Sequence, residues 1–122
     1  MTSSTLCYLM AIHRLSQEQS EVRSIDIAAK LGVARTSVCK ALDRLHENGY
    51  ATRDDNNKVH LTARGRSVIE LYSPALQAVS ELLERELGLT HTSAWSESLA
   101  MLGAVHTNTV RRICDRTRKE QA

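Results

Sequence analysis

Gly32 separates two short stretches that each carry apolar residues at helical spacing, and this arrangement restricts the fold more than any other feature of the chain. It follows the last apolar residue of the first stretch, where a residue that tolerates positive φ ends a helix without strain. In the second stretch the apolar residues lie three and four positions apart, at Val38, Ala41, Leu42 and Leu45. The remaining face of that stretch is polar or cationic. The pattern predicts two helices joined by a tight turn.

The ends of these two helices are also visible in the sequence. We predict that Ser24 caps the first helix by accepting a hydrogen bond from a free backbone N–H group, and that Asn48-Gly49 ends the second. Beyond it, Tyr50–Arg53 and Lys58–Leu61 can pair as a hairpin across four Asp and Asn residues, which tolerate tight bends. The whole segment therefore has the pattern of a winged helix-turn-helix.

The apolar periodicity predicts four more helices, over about Ser4–Leu15, Thr62–Gly88, Ser93–Val105 and Asn108–Arg118. In the longest we expect a kink or a break at Pro74, because proline has no N–H and fits best in a first helical turn. A chain of 122 residues forms only a modest core alone, which favours a dimer. The predicted fold class is mainly α with a small β-hairpin, a winged helix-turn-helix over residues 1–72 followed by an α-helical dimerisation region over residues 73–122.

Charge is distributed unevenly along the chain. The net charge is only +2, but residues 23–66 hold nine Lys or Arg against five Asp or Glu, while the rest of the chain holds seven against nine. A positive field on the helix-turn-helix suits a partner with a phosphate backbone.

Other features of the sequence exclude several classes of protein. The three cysteines are widely spaced and odd in number, which favours a reducing compartment over a disulfide framework. No apolar run is long enough for a membrane span or a signal peptide, so we expect a cytoplasmic protein without a membrane partner. A Gly-rich phosphate loop, a nucleophile elbow and a paired acid and base are all missing from the sequence, so we do not expect an enzyme.

The polar face of the second helix is expected to contact double-stranded DNA in the major groove. Its expected contact residues are Arg35, Thr36, Ser37, Cys39, Lys40 and Arg44. On the hairpin, Arg53 and Lys58 are expected to meet phosphates. We interpret Asp43 as an intrahelical partner of the neighbouring cations. Asp54 and Asp55, at the tip of the hairpin, should repel the DNA backbone and keep its contact weak.

Cys39 admits two interpretations. A thiol on the DNA-facing side could act as a redox switch, because oxidation would add bulk at a surface that approaches phosphates. Alternatively, it is only a small side chain that lets the helix sit close to the groove.

The chain resembles the diphtheria toxin repressor and manganese transport regulator family in three segments, YLMAIHRLS, VRSIDIAAKLGVARTSVCKALDRLHENGY and VHLTARGRSVIELY, and in a helical pair after LGL. The resemblance covers nearly the whole chain. It implies a homodimeric, metal-activated transcription regulator whose winged module binds a palindromic operator. It also implies that residues 76–89 and 95–113 build the two-fold interface. The expected dimerisation residues are Leu83, Leu87, Trp95, Leu99 and Leu102.

The positions of the family's activating metal ligands carry few donor groups here. According to the resemblance, the ligand positions of the first helix are occupied by Cys7 and Met10, and that of the long helix by Pro74. The ligand pair of the next helix corresponds to Leu102-Gly103 or Gly103-Ala104. Aliphatic side chains and proline donate no electron pair to a metal. We therefore expect no iron or manganese site and no cofactor. A soft transition metal on Cys7, Met10 and His106 is the remaining candidate, and core packing is the simpler role for the first two.

The sequence therefore favours a repressor that lacks the usual metal site, and it leaves three alternatives open. One is a ligand- or redox-responsive regulator of the MarR type, in which the first and last helices build the dimer interface. A second is a winged-helix protein-interaction module, which the acidic hairpin tip would suit. The third is a sensor of thiol oxidation or of a soft metal.

Overall fold

The computed structural model describes residues 1–121, which form six helices and one antiparallel two-stranded sheet. In chain order the elements are α1 (Ser3–Glu18), α2 (Ser24–Leu31), α3 (Arg35–Glu47), β1 (Ala51–Arg53), β2 (Val59–Leu61), α4 (Ala63–Leu87), α5 (His91–Ala104) and α6 (Thr107–Gln121). The predicted fold class, a mainly helical winged helix-turn-helix, is confirmed. In this part of the chain no helix is both long and apolar enough to cross a membrane.

The chain divides into two compact units. One comprises Cys7–Ile69, and the other joins Met1–Leu6 to the chain from Glu70 onward. The division therefore falls inside both α1 and α4. In the first unit α2 packs on α3, and α3 contacts β1. Its buried apolar side chains include Leu9, Ile12, Ile27, Val38, Leu42, Leu45 and Val59.

The turn between α2 and α3 forms as the sequence predicts. Gly32 has a φ of 65° and donates its N–H to Ala28. The start of α2 differs from the prediction that Ser24 is its cap. Ser24 is the first helical residue and Arg23 is the N-cap; the Asp26 carboxylate reaches back to accept from the Arg23 N–H at 2.9 Å. The predicted Ser24 cap is therefore wrong by one residue, because the stabilising side chain comes from inside the helix.

The hairpin is tied to a third segment that the sequence does not reveal. Strands β1 and β2 pair in the register Thr52 opposite His60. Beside them Arg23 forms an isolated antiparallel bridge with Lys58, and the Val59 N–H donates to the Val22 carbonyl at 2.7 Å. The chain just before α2 therefore holds one edge of the hairpin through backbone hydrogen bonds.

Thr62 and Gly65 fix the junction between the hairpin and α4. The Thr62 hydroxyl donates to the Gly49 carbonyl at 2.5 Å and accepts from the Gly65 N–H at 3.1 Å, so Thr62 caps α4. A Cβ at Gly65 would lie 2.1 Å from the Tyr50 carbonyl oxygen. The Arg64 guanidinium stacks over the Tyr50 ring at 5.2 Å.

The long helix α4 continues through Pro74. Of the expected kink or break, the break does not occur. Proline leaves a carbonyl one turn earlier without its usual donor. Buried residues lie on both sides of it, with Tyr72 and Leu76 at 2% exposure or less, and this packing keeps the segment helical. The Cys114 thiol also donates to the Leu71 carbonyl at 2.9 Å.

In the second unit, hydrogen bonds satisfy backbone groups at the end of α4 and at the starts of α5 and α6. Gly88, with a φ of 68°, ends α4 and donates to the Glu84 carbonyl. The Thr90 hydroxyl caps α5 by accepting from the Ser93 N–H at 3.2 Å. At the start of α6 the imidazole Nδ1 of His106 accepts from the Asn108 N–H at 3.1 Å.

Candidate nucleic-acid interface

Helix α3 has one buried and one exposed face, as a recognition helix requires. Its four apolar residues are at most 4% exposed. All six of its predicted contact residues are exposed: Arg35, Thr36, Ser37, Cys39, Lys40 and Arg44. The structure therefore brings these side chains together on one solvent-facing surface, which we call the α3 face. Their contact with DNA stays a prediction.

The three cations of the α3 face form no ion pair with any side chain that the structure describes. Arg35 lies in the first turn of the helix, and Lys40 and Arg44, which are one turn apart, follow it. An unpaired guanidinium can make two parallel hydrogen bonds to guanine or bind a phosphate, and an ammonium can neutralise a phosphate. The α3 face can thus supply both base and backbone contacts.

The two cations of the hairpin are engaged within the protein. Arg53 Nη2 lies 2.7 Å from Asp43 Oδ1, and Lys58 Nζ lies 2.6 Å from Glu21 Oε1. Asp43 therefore pairs across to β1, and the interpretation of it as an intrahelical partner is wrong. The reason is geometric: α3 contacts β1, which brings Arg53 within reach of the helix.

The acidic tip of the hairpin is largely used to build its own turn. Asp54 Oδ1 accepts from the N–H groups of Asn56 and Lys58, at 2.9 and 3.1 Å. Its other oxygen lies 3.0 Å from His60 Nε2. The hydrogen bond from His60, and then that from the Lys58 backbone, lower the pKa of the Asp54 carboxyl. Asp54 therefore serves as a structural residue, which weakens the argument for an acidic docking surface.

Sequence reasoning missed Glu21 and the true partner of Asp43. For Asp43 a signal was available in the sequence: an acidic residue on an otherwise cationic helix face can indicate an ion pair with a cation on another element. No comparable signal marks Glu21, because its role depends on the backbone bridge between Arg23 and Lys58.

The structure shows the surroundings of the positions that the resemblance assigns to metal ligands. Burial raises the pKa of the half-buried Cys7 thiol. Met10 is 5% exposed and joins the core. At Gly103 a Cβ would lie 2.5 Å from the Ser3 backbone nitrogen, so this position cannot hold a ligand side chain without a backbone shift.

The remaining donors have other roles. His106 caps α6 through Nδ1, and burial raises the pKa of the Cys114 thiol. Among residues 1–121, no three side chains of His, Cys, Asp or Glu lie close enough together to hold a metal ion. All three cysteines are free thiols, and only Cys39 is exposed.

The expected dimerisation residues divide into two groups. Leu83, Leu99 and Leu102 are at most 7% exposed and belong to the core of their own unit. Trp95 is half-buried, while Leu87 is 66% exposed. Other apolar residues stay uncovered at Ala100, Met101 and Ala104 on α5, and at Val105, which directly follows the helix. This spacing places the four on one side of the helix, and we call them the α5 face.

Comparisons with known proteins connect this geometry to a family. The family model described as iron dependent repressor, N-terminal DNA binding domain, matches residues 1–57. No curated protein sequence matches the chain.

Several solved structures share the fold. The structure of the manganese regulator SloR has a TM-score of 0.77 at 19% identity and covers 96% of this chain. The structure of T. acidophilum IdeR has a TM-score of 0.70 at 22% identity and covers 95%. The hypothetical protein SSo2273 from Sulfolobus solfataricus has a TM-score of 0.66 at 21% identity and covers 98%.

The matches differ in how much of the other protein they include. The chain spans 54% of the SloR and of the IdeR structure, but 91% of SSo2273. It thus spans about half the length of the SloR and IdeR chains. At these identities the similarity establishes the fold alone. Together, the family-model match over residues 1–57 and the shared fold confirm that this chain resembles the iron-dependent repressor family.

Proposed function

We propose that the protein is a sequence-specific, DNA-binding transcription regulator that acts as a homodimeric repressor. One observation carries the proposal: α3 buries its apolar side and exposes six polar or cationic residues that the protein itself leaves available. Inserted into a major groove, this face would read base edges through Arg35 and Lys40 and bind phosphates through Arg44. A repressor with these properties works in the cytoplasm, where three free thiols are also expected.

A second copy of the chain is the proposed partner. Helix α5 is apolar on two sides: Ala94, Leu99 and Leu102 are buried, while the α5 face is exposed. An exposed apolar surface of this kind is a candidate for covering by a partner. Pairing two such faces about a two-fold axis would cover them and hold two α3 helices about one turn of DNA apart, as a palindromic operator requires.

The proposed regulator binds DNA without the family's metal. SloR is described as a manganese regulator, but in this chain the family's ligand positions hold a buried methionine, a thiol of raised pKa, a proline and a glycine with no space for a side chain. We infer that the DNA-binding conformation forms without iron or manganese.

Two alternatives rest on particular observations. The MarR-type arrangement, in which the first and last helices build the interface, is favoured by the grouping of Met1–Leu6 with the chain from Glu70 onward. The protein-interaction module loses support because Asp54 is committed to its own turn. A thiol or soft-metal sensor would have to use Cys39, the exposed cysteine.

Substitution of the α3 face tests the proposed function. Arg35→Ala or Lys40→Ala should weaken binding to a selected operator duplex by about 1–3 kcal/mol if the residue reads a base, measured by fluorescence anisotropy. Lys30→Ala is the matched control, because Lys30 lies on α2 and pairs with Glu18 at 3.5 Å. Equal affinities for all three variants and the wild type would reject the role of the α3 face.

A further inference from the structure

We propose that Asp43 and Glu21 are internal counter-ions of the wing, the hairpin β1–β2, and that they limit DNA affinity by competing with phosphates for Arg53 and Lys58. The proposal rests on the proposed DNA-binding function. It assigns a role to two acidic residues that would otherwise only oppose the binding of a polyanion.

The pair between Asp43 and Arg53 is open to exchange. It is a single contact, from one guanidinium nitrogen to one carboxylate oxygen at 2.7 Å. The side chain of Asp43 is 63% exposed and that of Arg53 is 31% exposed. Both residues line an open cleft of about 200 Å³ between α3 and β1. The guanidinium therefore has space to turn from the carboxylate to a phosphate, and it keeps donors for both.

The pair between Glu21 and Lys58 neutralises a second cation. Lys58 Nζ lies 2.6 Å from Glu21 Oε1, and the other oxygen of Glu21 lies 3.7 Å from Arg23 Nη2. The hydrogen bond from Lys58 lowers the pKa of the Glu21 carboxyl. One carboxylate thus reduces the charge of two cations at the edge of the wing.

The backbone holds the wing in place without either ion pair. The Arg23–Lys58 bridge and the 2.7 Å hydrogen bond from Val59 to Val22 fix its edge, and the strands pair with each other. Neutralising a carboxylate should therefore free a cation without moving the strand that carries it. The two possible roles of the carboxylates therefore predict opposite results. If they compete with phosphates for the cations, their loss strengthens DNA binding; if they position the cations for DNA, their loss weakens it.

The energies also favour exchange. An exposed ion pair contributes little because water screens it and two side chains lose freedom. A phosphate that binds a cation also releases a condensed counter-ion, which adds a salt-dependent gain. Once displaced, the carboxylate faces the DNA backbone and repels it. Removing its charge should therefore tighten binding.

The test compares Asp43→Asn and Glu21→Gln with the wild type on a random-sequence duplex, by anisotropy at several salt concentrations. We expect each variant to bind about two- to five-fold more tightly at low salt, the range that an exposed ion pair corresponds to. Asp55→Asn is the matched control: it removes the same charge from the wing tip, where Asp55 forms no ion pair with the described residues. It should change the affinity less.

A double-mutant cycle isolates the competition from the change in net charge. In an Arg53→Ala background, Asp43→Asn should tighten binding less than it does in the wild-type background, because the repulsion is still removed but the cation that it would release is gone. Circular dichroism confirms that each variant is folded. The proposal is overturned if Asp43→Asn and Glu21→Gln bind as weakly as the wild type or more weakly, or if Asp55→Asn gives an equal gain. Failure of every protein, wild type included, to bind any duplex would instead reject the proposed function.

Discussion

A hydrogen atom is the largest side chain that fits at Gly65. The first turn of α4 crosses the Tyr50 carbonyl so closely that a Cβ would lie 2.1 Å from its oxygen. The atom that a Cβ would meet belongs to the backbone, so it cannot relieve the clash by a rotamer change, as a flexible side chain could. The glycine of the LTARG segment therefore has a packing role at the junction of hairpin and helix.

Gly65→Ala should destabilise the protein. Helix propensity alone would favour alanine by about 1 kcal/mol, but overpacking against a fixed backbone costs about 1–3 kcal/mol or more. We expect a lower free energy of unfolding in urea. Ser67→Ala, at an exposed position two residues along the same helix, should change it by no more than about 0.5 kcal/mol. A Gly65→Ala protein more stable than the wild type would contradict the close approach.

Cys39 is exposed on the α3 face, and we expect it to act there as a small side chain and not as a switch. The other two cysteines are half-buried or buried, and a lone exposed thiol is weak evidence for redox sensing. Mild peroxide should therefore weaken DNA binding of the wild type no more than that of Cys39→Ser, measured by gel shift. A loss of binding confined to the wild type would make Cys39 the switch.

The helices and the wing could be predicted from the sequence because their signals are local. Gly32 and Gly88 adopt the positive φ that a helix end favours, and Thr62 caps the helix that it precedes. The break expected at Pro74 does not occur, since packing on both sides outweighs the loss of one hydrogen bond. The partner of Asp43 could not be predicted either, because it depends on how α3 meets β1.

The wing should lose order in acid. Hydrogen bonds to Asp54 hold the pKa of its carboxyl below the ordinary value, so its contribution to stability is complete above about pH 4 and is lost as the pH falls through the lowered pKa. In an NMR titration, the amide signals of Asn56 and Lys58 should shift before those of α3. Asp54→Asn should remove this early shift. Simultaneous loss of wing and helix signals in the wild type would argue against the role of Asp54.

At the scale of the whole molecule, the spacing of apolar residues could not distinguish residues buried in the core of the chain from residues that stay exposed and could form an interface. Leu83, Leu99 and Leu102 have the same spacing as interface residues but lie in the core, at 7% exposure or less. The uncovered positions include Leu87, at 66%, and Met101, at 47%. Burial depends on how the helices pack, which spacing along one helix does not contain.

The proposed dimer should depend on the α5 face. Analytical ultracentrifugation at micromolar concentration should give twice the chain mass for the wild type and a monomer for the double variant Met101→Glu and Val105→Glu, because buried unpaired charges are costly. Thr109→Glu places a carboxylate at an exposed position in the first turn of α6 and should remain dimeric. A monomeric wild type that binds its operator tightly would reject the two-fold interface.

The central claim, metal-independent recognition of a palindrome by two α3 helices, is tested most directly by selection from a random pool of duplexes. The protein is first stripped of metal with a chelator, and the affinity for the selected duplex is then measured with and without Mn(II). We predict an enriched palindrome with half-sites about one helical turn apart, bound with the same affinity in both conditions. Selection of no palindrome, or of one that is bound only when Mn(II) is added, would contradict the account.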